Sequence, residues 1–224
     1  TGLYASPVLS LASSGSYLLA GLNTLKGIYK SSNYGANWTQ TSLNNFSVFS
    51  IVVSGSNILA GTDYGIRLST DNGNGWTLVD LIGRNIYSLT ASGGNLYAGT
   101  NDSGVYKSTN NGLSWSQTTL NNKTVFSLAG SGSKIFAGTT ANGVYLSTDN
   151  GTSWNQTAMN NRYVYSLAIS GNNVFAGVDN YYLGTGGVYL STNNGQTWTQ
   201  KGMNSQFVWS LAVSGNYIFA GTET

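Results

Sequence analysis

The chain is 224 residues long, with 9 Lys and Arg against 7 Asp and Glu, 30 glycines, one proline and neither histidine nor cysteine. Those absences exclude a Ser-His-Asp triad, a Cys-His pair, a zinc site of histidines and cysteines, an imidazole pH switch and a disulfide frame. Glutamate occurs once, at Glu223, so carboxylate chemistry rests on Asp63, Asp71, Asp80, Asp102, Asp149 and Asp179.

Charged residues make up 7% of the chain, well below the roughly 25% of an ordinary domain. Ser, Thr, Asn and Gly take their place, a composition that points to an extracellular or cell-surface protein of bacterial type. A net charge of +2 spread along the chain gives no basis for nucleic acid as partner. No apolar run reaches the ~18 residues of a membrane span, so no membrane insertion is expected. Neither a metal nor a cofactor is expected either.

In chain order, the elements are copies of one unit. The repeats run over residues 8–45, 46–83, 84–122, 123–161 and 162–206, with a partial copy over 207–224. In the fourth, Val125 to Ala129 reads as strand A, Ser131-Gly132 as a turn, and Lys134 to Gly138 as strand B. Gly143 to Ser147 is strand C, and Ser153 to Thr157 is strand D after a boxed turn. β-Branched and aromatic residues dominate every apolar run, and no run has helical period. Inner runs such as Ile135-Phe136-Ala137 are apolar on both faces, as in a sheet covered on both sides. Four short strands in about 39 residues, repeated, predict an all-β fold, a β-propeller of five complete four-stranded blades and strands A and B of a sixth, in a single domain over 1–224.

The boxed turn, Ser-x-Asp/Asn-x-Gly-x-x-Trp, occurs five times, carrying Asn33 and Trp38, Asp71 and Trp76, Asn110 and Trp115, Asp149 and Trp154, and Asn193 and Trp198. An Asp or Asn oxygen can accept backbone amides two residues on, the glycine supplies positive φ, and the Trp ring packs over the hairpin base with its N–H free to reach a carbonyl. This box resembles the Asp-box, or BNR, repeat of sialidase-like propellers, over essentially the whole chain. The resemblance implies that the boxes are structural and lie on the face away from the ligand site. Asn33, Asn110 and Asn193 stand where that family usually has Asp. Its hydrolases need an arginine triad, a Tyr nucleophile with a Glu partner and an acid Asp, and this chain has no internal Glu. A non-catalytic member is therefore expected.

In a four-stranded meander the D-to-A and B-to-C connections share one face. That face gathers Phe46, Arg84, Lys123, Arg162 and Gln206 with Asp63, Tyr64, Asp102, Asp179, Tyr181 and Tyr182. Arg84, Lys123 and Arg162, on successive repeats, form a candidate anion-binding arc, or else solvate the rim. Asp63, Asp102 and Asp179 are candidate acid and base of a glycosidase, or else turn residues. Tyr181 and Tyr182 occupy the one insertion and are candidates to stack on a sugar or anchor a protein. The aromatic series Phe49, Tyr87, Phe126, Tyr165 and Trp209 recurs at one strand A position and is expected in the core between blades.

The leading expectation is a non-enzymatic module that binds a glycan or protein through this face. A glycoside hydrolase using the loop aspartates is the alternative, and a spacer or assembly unit of a longer surface protein is a third. Thr1-Gly2-Leu3 aligns with the tail of a strand D, so the chain is expected to start and stop inside a repeat. It is then a fragment, an incomplete ring, or a chain whose terminal strands self-associate.

Overall fold

Each run of about 39 residues pairs with itself as a meander. The computed structural model describes Leu3 and residues 6–179 and 184–223. Among these, 22 strands and no helix occur. The first sheet is β1 (Val8–Ser14), β2 (Tyr17–Leu22), β3 (Ile28–Ser31) and β4 (Thr39–Gln40). The second is β5 (Val48–Ser54), β6 (Asn57–Thr62), β7 (Gly65–Ser69) and β8 (Thr77–Asp80). The third is β9 (Ile86–Ser92), β10 (Asn95–Thr100), β11 (Val105–Ser108) and β12 (Ser116–Gln117). The fourth is β13 (Val125–Ser131), β14 (Lys134–Thr139), β15 (Gly143–Ser147) and β16 (Asn155–Gln156). The fifth is β17 (Val164–Ser170), β18 (Asn173–Val178), β19 (Gly187–Ser191) and β20 (Thr199–Gly202), and β21 (Val208–Ser214) pairs with β22 (Tyr217–Thr222) alone. Each sheet lies within the repeat bounds read from the sequence. The fourth strand is shorter than expected in the fourth repeat, because the box holds the chain as far as Trp154.

The chain divides into two compact units, Thr1–Asn101 with Tyr106–Ser116, and Asp102–Val105 with Gln117–Thr224. In the first, β1, β5 and β9 lie beside one another in order; in the second, β13, β17 and β21 do. Within a unit the second strand of a complete repeat is therefore covered on both faces. In β6, Ile58, Leu59, Ala60, Gly61 and Thr62 are all buried, and β14 repeats this with Ile135 to Thr139. The recurrent Ala-Gly pair follows from that packing: a Cβ on Gly61 would sit 2.7 Å from the Ile86 carbonyl oxygen of the next sheet. The core of the first unit centres on Leu59, Ile66, Ile86, Leu96, Tyr106 and Trp115, and part of the second unit's on Phe136, Val144, Val164 and Ala176.

Every first strand carries a bulge one residue in from its start. Val125 pairs with Thr139 and Ser127 with Gly138, which skips Phe126. The same skip falls on Leu9, Phe49, Tyr87, Tyr165 and Trp209. The aromatic series expected in the core is thus the series of bulged residues, and a bulge redirects its side chain. These rings meet one another instead, with Phe49 and Tyr87 centroids 5.3 Å apart and Phe126 and Tyr165 4.6 Å apart. Phe49, Tyr87, Phe126 and Tyr165 are half-buried, and Trp209, 5.2 Å from Tyr165, is 51% exposed.

Candidate functional site

In the second box the Ser69 hydroxyl donates to Asp71 Oδ1 at 2.8 Å and accepts the Gly73 N–H at 2.8 Å. Asp71 Oδ1 accepts the amides of Asn74 at 3.1 Å and Gly75 at 2.8 Å. The carboxylate thus spans three and four residues, further than the two expected from a simple Asx-turn. The turn also needs two consecutive positive φ values, 59° at Asn72 and 83° at Gly73. Asn33, Asn110, Asp149 and Asn193 accept the equivalent amide, at 2.8 to 3.0 Å. Hydrogen bonds from Ser153 and Ser147 hold the Asp149 carboxyl well below the usual carboxylate range, and those from Gly75 and Ser69 hold Asp71 below it. The indoles of Trp76 and Trp115 donate to Gly73 and Gly112 carbonyls at 3.1 Å, while Trp198 reaches the Thr157 hydroxyl. Trp154 Nε1 is buried with no partner.

The second to fifth boxes also grip the last strand, or the residues just after it, of the repeat before them, a contact that the sequence did not reveal. The Ser42 hydroxyl donates to the Asn74 carbonyl at 2.7 Å, and that of Thr119 donates to Thr152 at 3.0 Å. In the same position Asp80 uses Oδ2 to accept the Trp115 N–H at 2.8 Å and Oδ1 to accept that of Leu81 at 2.7 Å. Beside the second box, Tyr17, Lys30, Gln40 and Asn74 line a cleft of about 310 Å³. Lys30 reaches across to the Asn72 carbonyl at 2.8 Å.

At the other end of each repeat, the expected pairing of loops is present. The N–H of Gly65 donates to the Arg84 carbonyl at 2.8 Å, Gly104 to Lys123 at 2.8 Å and Gly143 to Arg162 at 2.9 Å. One residue on, Asp63 donates its N–H to Ser47 and Asp179 to Tyr163, both at 3.1 Å. The structure therefore brings Asp63, Tyr64 and the Arg84 backbone together in the first unit. In the second it joins Asp102 to the Lys123 loop and Asp179 to the Arg162 loop. Tyr181 and Tyr182 lie outside the described residues.

The loop carboxylates differ in employment. Asp102 accepts the Thr124 hydroxyl at 2.6 Å, and Asp179 is 8% exposed. Asp63 is the exception, for its Oδ1 is buried and has no hydrogen-bond partner. Tyr64 beside it is 49% exposed.

The rim cations face aromatic rings of the third strand. The Arg84 guanidinium lies 5.8 Å from the Tyr106 ring, and that of Arg162 lies 5.7 Å from Tyr189, distances at which cation–π attraction acts. Lys123 occupies the same repeat position relative to Tyr145. In the second repeat the pair is exchanged: Phe46 stands at the cation's place, and Arg67 stands where the other complete repeats have Tyr29, Tyr106, Tyr145 and Tyr189. The Arg67 guanidinium lies 3.9 Å from the Phe46 centroid. Burial lowers its affinity for a proton and Asp63 raises it, yet no ion-pair contact joins the two, and Arg67 Nε is buried without a partner. Sequence reasoning missed Arg67 because it sits inside a strand; its break with four tyrosines was the available signal.

Comparison with known proteins agrees with this architecture. The family model described as the DUF6242 beta propeller domain matches residues 63–167, rather less than half of the chain. No curated protein matches the chain. The extracellular domain of a putative one-component system from B. thetaiotaomicron is similar at 21% identity and TM-score 0.78, covering 96% of this chain and 31% of that one. An ancestral GH74 enzyme is similar at 23% identity and TM-score 0.76, covering 92% and 33%. YCF48 bound to D1 peptide is similar at 16% identity and TM-score 0.71, covering 97% and 75%. The chain thus spans about a third of the length of the first two structures. Its fold is that of a β-propeller, with blades of four antiparallel strands, and its middle part is similar to the DUF6242 propeller domain.

Proposed function

We propose that this domain is a non-catalytic recognition module, secreted or displayed on a cell surface, that binds a glycan or protein through the loops carrying Asp63, Tyr64, Arg84, Asp102, Lys123, Arg162 and Asp179. We read its boxed turns as Asp-boxes that hold the opposite face. The carrying observation is that the repeats agree at the boxes and cores and differ in the loops before the first strand and after the second, where a scaffold presents one variable loop per repeat. The extracellular domain among the similar structures supports the location, and the peptide complex of YCF48 supports a propeller as binder. Against hydrolysis stand the Asp102 bond to Thr124 and the burial of Asp179, while Asp63 keeps one oxygen buried and without a partner.

Glycan arrays and pull-downs with the 224-residue chain test the proposal. Binding is expected to fall in the double variant Lys123→Ser, Arg162→Ser and to persist in Tyr34→Asn, which changes the 95% exposed Tyr34 of the first box to the residue found in the other boxes. Binding kept in the first and lost in the second moves the site to the opposite face.

A second reading is assembly. Leu11 is 69% exposed on β1, and Tyr217 and Phe219 are 73% and 59% exposed on β22. Apolar sheet surface of this kind favours self-association, which light scattering would detect as a mass rising with concentration.

A further inference from the structure

We propose that the 224-residue chain binds a second copy of itself head to tail, the β21–β22 sheet of one copy taking β1 of the next as a further first strand. This rests on the assembly reading above and deepens it by naming the partner and the two surfaces that meet.

Consecutive repeats of one unit join in one way. The first strand of the later repeat lies beside the first and second strands of the earlier one, as β5 does on β1 and β2, and β21 on β17 and β18. In each such junction a valine fits against the glycine of the Ala-Gly pair. A Cβ on Gly21 would come within 2.7 Å of Val48 Cγ1, on Gly138 within 2.7 Å of Val164 Cγ1, and on Gly177 within 2.7 Å of Val208 Cγ1. Only a residue without a side chain admits its neighbour that closely. Those three valines are wholly buried. Around them a large residue of the second strand shares a cluster with a leucine or isoleucine of the next first strand, Leu19 with Ile51 in the first unit and Phe136 with Leu167 in the second.

Both halves of this junction recur without a mate. Val8 holds on β1 the place that Val48 has on β5, yet it is 41% exposed, and Leu11, in the place of Ile51, is exposed as well. On β22, Gly221 holds the place of Gly138 and Phe219 that of Phe136. A Cβ on Gly221 would meet only Ser210 of its own sheet among the described residues, and Phe219 is exposed where Phe136 is buried. The seat for a first strand needs the first and second strands of the repeat before it, and β21 with β22 supplies both. The bulged series stops in the same manner, with Leu9 exposed on β1 and Trp209 on β21. Residues 8–22 and 207–222 carry no charged side chain, so no repulsion or stranded charge opposes their contact. The contact joins unlike surfaces, so each copy keeps one of each free and association runs on into rings or filaments.

Analytical ultracentrifugation of the 224-residue chain tests this. The mean mass of the parent is expected to rise with concentration past that of a dimer. Leu11→Lys and Phe219→Lys change exposed side chains, so the melting temperature is expected to hold while each weakens association at least about tenfold. Leu11→Gln and Phe219→Gln serve in their place if either lysine lowers it. Mixed together, the two variants each still offer one intact surface, and they are expected to form a one-to-one pair that grows no further. Loss in only one of the two variants, or loss in both without rescue on mixing, overturns the head-to-tail contact while leaving assembly standing. Association undiminished in both variants does the same. A parent that stays a monomer throughout overturns both.

Discussion

Replacing Asp80 by alanine should weaken the chain by about 2 kcal/mol. The carboxylate spans from the last strand of the second repeat to the third box, accepting Trp115 N–H at 2.8 Å and Leu81 N–H at 2.7 Å. Hydrogen bonds to a charged group contribute about 1.5–3 kcal/mol each when buried. Asp80 is half-buried, which reduces both, but the amides it leaves belong to Trp115 and Leu81, each only 8% exposed. A loss of about 2 kcal/mol lowers the melting temperature of a chain this size by about 4–8 °C. Urea unfolding followed by tryptophan fluorescence gives the free energy, and amide exchange at Trp115 should quicken at least about tenfold. Asp80→Asn retains one acceptor and is expected to lose about half as much. A variant Asp80→Ala within about 0.5 kcal/mol of the parent, with Trp115 exchange unchanged, would refute the idea that this side chain joins two repeats.

Gly143→Ala should cost at least about 3 kcal/mol, since the residue has φ of 68° and its Cβ would overlap the Met159 carbonyl; a soluble variant with an unchanged urea midpoint would contradict this. The Asp149 and Asp71 carboxyls are held below their usual range, so the folded chain favours their ionised form. Their stabilisation is complete above the unfolded value of about 4 and is lost as pH falls below it. The double variant Asp71→Asn, Asp149→Asn should therefore lose less stability between pH 7 and pH 3 than the parent, and equal losses would sink the assignment. Phe46→Arg alone sets two guanidiniums together and should cost about 1 kcal/mol, whereas in an Arg67→Tyr background it rebuilds the pair of the other repeats and should cost almost nothing. Strict additivity in that double-mutant cycle would rule out the exchanged pair.

Much of the architecture was legible because it is local. Four strands, their order and the boxed turns are all encoded within about ten residues of one another, and the repetition shows each of them five times. Chain path where the loops before the first strand meet those after the second was legible for the same reason, as the Gly65 to Arg84 and Gly143 to Arg162 bonds show. The rest depends on residues distant in sequence. The bulge at Phe126 looks like ordinary strand until its pairing to Thr139 and Gly138 is seen. Asp80 has no visible role in the sequence, since its partner lies 35 residues on. Asp102 and Asp63 look interchangeable in sequence, yet the Thr124 hydroxyl occupies one and nothing in the chain occupies the other. Arg67 was hidden by its place inside a strand, where a charge is read as solvated edge.

The grip of each box on the preceding strand has an orientation. Ser42 waits for Asn74, Asp80 for Trp115 and Thr119 for Thr152, so the later partner always arrives at a seat made by the earlier one. A ribosome delivers the chain in that same direction. Every newly emerged unit therefore finds its docking groups already outside the exit tunnel, and a copy added downstream by duplication inherits a ready berth without any change to what came before it.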